Sequence, residues 1–222
     1  MPLLQRLFAL CFLLLAHSSF SQNTDAPFAD EIKAFDQQDA HQPPAPGAIL
    51  FVGSSSIRLW AGLQSDFPNH RVFNRGFGGA SIPDVARYAR QTIYRYKPSQ
   101  IIFYCGENDL AGSDTIQVAT VVNRFTSLFH EIRKELPGVP FVFISIKPSP
   151  SRAHIKAKVV AANQQIRRFL ARQQAARFVD VYQPMLGADT RPRAELFRSD
   201  SLHMTEKGYA IWREKLAPVL RK

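Results

Sequence analysis

Five short apolar runs punctuate this chain, at residues 48–52, 72–74, 101–105, 141–146 and 177–181. Each is too short for a helix; 48–52, 101–105 and 141–146 are too continuously apolar for a strand with one wet face, and 72–74 and 177–181 are β-rich. Runs of this kind suit strands buried on both faces of a parallel sheet. Between them, residues 57–64, 82–96, 116–136 and 154–175 carry apolar side chains at helical spacing, and a last helical pattern spans 206–220. Tyr96-Lys97-Pro98 and Pro137-Gly138 punctuate helix ends. The alternation predicts a three-layer α/β/α sandwich around a five-stranded parallel sheet. In open sheets of this class, functional residues gather beyond the carboxyl ends of the strands.

The first segment stands apart. Residues 1–21 hold one early Arg6, a ten-residue apolar run at 7–16 and then small polar residues, which is the anatomy of a signal peptide cleaved after Ser21. The run is half the ~20 residues that a spanning helix needs. Cys11 lacks the small preceding residue of a lipoprotein signal, so the expectation is export without a stable membrane anchor. Residues 22–47 are polar, with a short helix predicted near 30–38 and a proline-rich lead-in through Pro43, Pro44 and Pro46. Residues 48–222 then form one domain, large enough to bury roughly 70% of its unfolded surface without a metal or a disulfide. With the signal removed, Cys105 is the sole cysteine, ends an apolar run, and reads as a small buried hydrophobe.

The formal net charge of +10 is unevenly spread, since residues 141–222 hold 16 basic and 6 acidic side chains. An anionic polysaccharide or lipid surface is one partner that such a bias suits. A solvated helix face carrying Lys156, Lys158, Arg167, Arg168 and Arg172 is the favoured reading. No interleaving of aromatic and basic residues points to nucleic acid.

Three of the runs end in residue types that acyl-transfer chemistry uses. Gly53-Ser54-Ser55-Ser56 follows the first, Gly76-Phe77-Gly78-Gly79 the second and Gly106-Glu107-Asn108-Asp109 the third. Asp200-Ser201-Leu202-His203 precedes the last helical pattern. A serine hydroxyl is a poor nucleophile until a base takes its proton, and near neutrality that base is usually histidine. Of the six histidines, His203 alone has a carboxylate three residues before it in a loop, where Asp200 can reach Nδ1 and leave Nε2 for a serine. Glycines admit a bound oxygen to backbone N–H groups, and an asparagine amide can serve as a further donor. Taken singly, the serine and Asp-His motifs read better as structure, Ser54–Ser56 as a helix cap and Asp200 as a turn residue, and Gly78-Gly79 and Asn108 also read as turns. Glu107 and Asp109 lack companions for a metal site.

Together and in this order, the four motifs resemble the blocks of the SGNH (GDSL-type) hydrolase superfamily, and most of all its small platelet-activating-factor acetylhydrolase-like members. The resemblance spans residues 48–220. It implies a flavodoxin-like fold, no cofactor and no metal. It also implies a catalytic set of Ser55, Asp200 and His203, with an oxyanion hole formed by Ser55, Gly79 and Asn108. One position departs from the pattern: Ser54 stands where the family usually carries Asp just before its nucleophile. Phe77, Lys147 and Arg152, which follow strands, are expected to line the substrate site, and Trp60 to lie in the core. The implied activity is hydrolysis of a short-chain ester, acetyl above all, of a small molecule or a polysaccharide. A lysophospholipase or thioesterase, or a non-catalytic relative that binds glycan or lipid, is the alternative.

Overall fold

The computed structural model describes residues 27–221. The expected signal peptide at residues 1–21 lies outside the described residues. A helix, α1 (Ala29–His41), precedes the first strand, β1 (Ile49–Gly53). Two short helices follow, α2 (Ser55–Arg58) and α3 (Leu63–Asp66), before β2 (Val72–Gly76). After α4 (Ile82–Arg87) and α5 (Ala89–Thr92) come β3 (Gln100–Tyr104), α6 (Glu107–Ala111), α7 (Val118–Glu135) and β4 (Phe141–Ile144). The chain then runs through α8 (Lys156–Leu170) and β5 (Ala176–Val179) to α9 (Glu206–Leu216). The strands form one parallel sheet in the order β2-β1-β3-β4-β5.

Alternate residues of the central strands feed two separate cores. Leu50, Val52, Ile101, Phe103, Phe141 and Phe143 pack under α4, α5, α7 and α8, while Ile49, Phe51, Ile102, Tyr104, Val142 and Ile144 pack under α2, α3 and α9. Burial on both faces explains why these strands read as unbroken apolar runs. Trp60 lies in the second core, stacked on Tyr209 at 5.0 Å, and Cys105 is buried. A fully buried side chain of this size contributes roughly 1.5–3 kcal/mol, so the sheet needs no covalent staple.

Two helices expected as single elements are broken. At 57–64 the chain turns between α2 and α3, because distant side chains take the carbonyls that a continuing helix would use. The Asn74 amide donates to the Ile57 carbonyl at 2.6 Å, and the Tyr209 hydroxyl donates to the Ser56 carbonyl at 2.9 Å. At 82–96 the pattern divides into α4, α5 and a 3-10 turn at Tyr94–Tyr96. There the Thr92 hydroxyl donates back to the Tyr88 carbonyl at 2.9 Å, a contact that bends helices. The region expected to begin a helix at 154 starts instead as a 3-10 segment, Pro150–Ile155.

Candidate active site

The sheet register brings the ends of three strands level, with Gly53 opposite both Gly76 and Tyr104. The segments that follow them therefore emerge side by side. Gly53 makes the first turn possible. Its φ is +138°, and a Cβ there would lie 1.8 Å from the Tyr104 carbonyl oxygen. Ser54 N–H donates to that same oxygen at 3.0 Å, so the neighbouring strand cannot withdraw. Gly53→Ala is expected to cost at least about 2 kcal/mol of folding stability, adding overpacking to backbone strain. Urea unfolding checks this, and an unchanged midpoint would contradict it.

The turn delivers Ser55 as the first residue of α2, buried, with its Oγ 3.0 Å from His203 Nε2. On the other side of the ring, Nδ1 lies 2.6 Å from Asp200 Oδ2. Burial alone would raise the Asp200 carboxyl. Hydrogen bonds from the His203 ring and from the His203 and Leu202 backbone N–H groups, each of the latter at 2.9 Å, outweigh it and bring the group to about 2. An ionised carboxylate only accepts, so Nδ1 carries a proton, and with no second proton on the ring Nε2 is the acceptor for the Ser55 hydroxyl. The loop is held from both ends. Arg198 N–H donates to the His203 carbonyl at 2.7 Å, and Phe197 and Met204 form an antiparallel bridge.

Gly78 and Gly79 follow β2 and Asn108 follows β3, the two strands that flank β1. A Cβ placed on Gly79 would come 4.0 Å from Asn108 Nδ2, so the Asn108 amide lies on the side of Gly79 that a side chain would occupy. Asn108 Nδ2 donates to the Ala80 carbonyl at 3.1 Å, and Arg152 Nη2 donates to Asn108 Oδ1 at 2.8 Å. Among the described residues, the backbone N–H groups of Ser55 and Gly79 have no acceptor. Next to them, Glu31 of α1 accepts the Gly78 N–H through both carboxylate oxygens at 3.0 Å and approaches Arg58 Nε at 3.6 Å. Nothing local in the sequence marks Glu31, because its partner is 47 residues away.

Two expected substrate contacts are corrected. Phe77 is fully buried, with its ring edge-on to Phe28 at 5.3 Å and to Tyr88 at 5.9 Å, so it offers no face to a ligand. Lys147 is also buried, its Nζ 2.9 Å from Glu107 Oε2 and 2.5 Å from Ser149 Oγ. Tyr104 donates to the same Glu107 oxygen at 2.7 Å, and Ser149 donates to the other. Burial opposes the charge on Glu107, yet Lys147 and Arg152 hold its carboxyl below the usual range. Asp109 accepts from Ile82 N–H and pairs with Arg124, each at 2.9 Å. Both carboxylates are therefore committed to protein partners. Among the described residues, no three His, Cys, Asp or Glu side chains group to hold a metal.

Residues 50–211 match the profile of the GDSL-like lipase/acylhydrolase family. The chain belongs to that family. Membership makes it an ester-cleaving hydrolase. Three solved structures share the fold. One is a Streptococcus pneumonia protein provisionally assigned as a platelet activating factor, at 20% identity and TM-score 0.75, covering 86% of this chain and 92% of that one. A GDSL-like lipase from Bacteroides thetaiotaomicron is 19% identical, with TM-score 0.72 and coverage of 85% and 96%. A catalytic mutant of an acetylxylan esterase from Geobacillus stearothermophilus is 14% identical, with TM-score 0.63 and coverage of 79% and 95%. At these identities the likeness is one of fold. No curated relative matches the chain by sequence. The family match ends short of α1, so Glu31 belongs to a part of the chain outside it.

Proposed function

We propose that this GDSL-family hydrolase is an exported serine esterase that removes short acyl groups, acetyl above all, from a soluble alcohol such as a sugar. The observation that carries the reading is the chain of contacts from Asp200 through His203 to the Ser55 hydroxyl. In the proposed mechanism His203 takes the Ser55 proton as Oγ attacks the ester carbonyl. The N–H groups of Ser55 and Gly79 and the Asn108 amide hold the resulting oxyanion. His203 then gives the proton to the leaving alcohol, and the acyl group stays on Ser55. A water, deprotonated by His203, attacks this acyl-enzyme and releases the acid and the free serine. A non-catalytic binding role would need no such aligned hydroxyl, imidazole and carboxylate, and hydrolysis is favoured for that reason.

The acyl preference rests on the connections. Among the described residues, helices and turns account for the connections between strands, with no long apolar insertion among them. An acyl chain left in water forfeits about 0.8 kcal/mol for every unburied methylene. The acetylxylan esterase among the fold neighbours makes acetylated carbohydrate the first physiological class to try. Export rests on the apolar run at 7–16 behind Arg6. The test is kcat/KM for p-nitrophenyl esters from acetate to decanoate, below any micelle threshold. Acetate is expected to lead. A tenfold preference for octanoate or decanoate would move the reading to a lysophospholipase or a thioesterase.

A further inference from the structure

Asn108 is useful to an oxyanion only in one of its two amide orientations. Its carbonyl and amino ends have nearly the same shape, so partners decide which end faces the cleft. Two partners fix it here, and they agree. The Ala80 carbonyl can only accept, and it takes a proton of Nδ2 at 3.1 Å. The Arg152 guanidinium can only donate, and it meets Oδ1 at 2.8 Å. One Nδ2 proton is thereby spent on Ala80, and the other remains for a ligand. The guanidinium is also a charged donor, which strengthens its hydrogen bond and polarises the amide.

Arg152 is itself anchored. Its side chain is 19% exposed, and Nη1 lies 3.8 Å from Glu107 Oε1, inside the buried cluster that Lys147, Ser149 and Tyr104 complete. The segment that carries it is tied to the histidine loop, because Ser151 N–H and Oγ both donate to the Ser201 carbonyl, at 3.1 and 3.0 Å. We propose that Arg152 is a positioning residue: it sets the Asn108 amide for the oxyanion, with Glu107 holding the guanidinium in place, and is not the substrate contact that its sequence position implies. The proposal rests on the serine-esterase reading and adds to it a residue that acts on the reaction through Asn108.

The test is a double-mutant cycle on p-nitrophenyl acetate, a neutral substrate that offers an arginine no charge. Arg152→Ala is expected to lower kcat about 10–100-fold with KM changed less than about twofold. Arg152→Lys, which keeps a donor and a charge without the fork, is expected to recover part of the loss. In an Asn108→Ala background, Arg152→Ala is expected to cost less than about threefold more. Thermal unfolding of each variant separates loss of fold from loss of function. If Arg152→Ala fails to fold, the Arg152→Lys and Arg152→Gln pair supplies the same comparison. A tenfold rise in KM with kcat retained, or an undiminished loss in the Asn108→Ala background, overturns the proposal. If Asn108→Ala costs kcat while the Arg152 variants do not, this inference falls and the esterase reading stands. If Asn108→Ala leaves kcat unchanged, this inference falls with the oxyanion role of Asn108, and the esterase reading is decided separately by Ser55→Ala.

Discussion

Ser55→Ala is expected to lower kcat by at least ~10³-fold, because removing a triad nucleophile leaves only binding and oxyanion stabilisation. Substitution of its neighbours separates this from a general disturbance of the turn. Ser54 and Ser56 are buried, but neither side chain meets His203, and their structural contributions run through the backbone. Ser54→Ala and Ser56→Ala keep those backbone bonds and are expected to cost less than about tenfold. Turnover of p-nitrophenyl acetate by the three variants is the comparison. Near-native activity in Ser55→Ala would remove the nucleophile assignment.

Asn108→Ala should reduce kcat ~10²–10³-fold, about 2.7–4 kcal/mol of transition-state stabilisation, with little change in KM. The split follows from where the charge is. A ground-state ester oxygen gains little from the amide, whereas the tetrahedral oxyanion gains much. Steady-state kinetics on the same ester provide the check. A loss confined to KM would mean that Asn108 binds substrate and does not act on the oxyanion. Because Arg152 and Ala80 already occupy two of the amide's bonding positions, the side chain is held before substrate arrives, and the loss is not offset by reordering.

The three central strands, β1, β3 and β4, were legible because each is buried on both faces, and that condition writes itself into composition. The helix breaks were not. The break after α2 depends on Asn74 and Tyr209 reaching carbonyls 17 and 153 residues away, which no local periodicity records. The same contrast divides the site. Asp200 and His203 are three residues apart, so a turn joins them and the spacing signals it. Ser55 and His203 are 148 residues apart, and only the order of the four motifs suggested that they meet. Phe77 and Lys147 show the limit of reading position without direction. Both follow strand ends, as a site residue should, yet Phe77 turns inward between Phe28 and Tyr88, and Lys147 turns to a carboxylate 40 residues earlier.

The account centres on one activated hydroxyl, and covalent capture tests it most directly. The protein is treated with a small fluorophosphonate, which phosphonylates activated serines, and intact mass followed by peptide mapping locates the label. One adduct is expected, on Ser55, absent from Ser55→Ala and formed far more slowly in His203→Ala. An adduct on Ser54 or Ser56, or undiminished labelling of Ser55→Ala, would contradict the account.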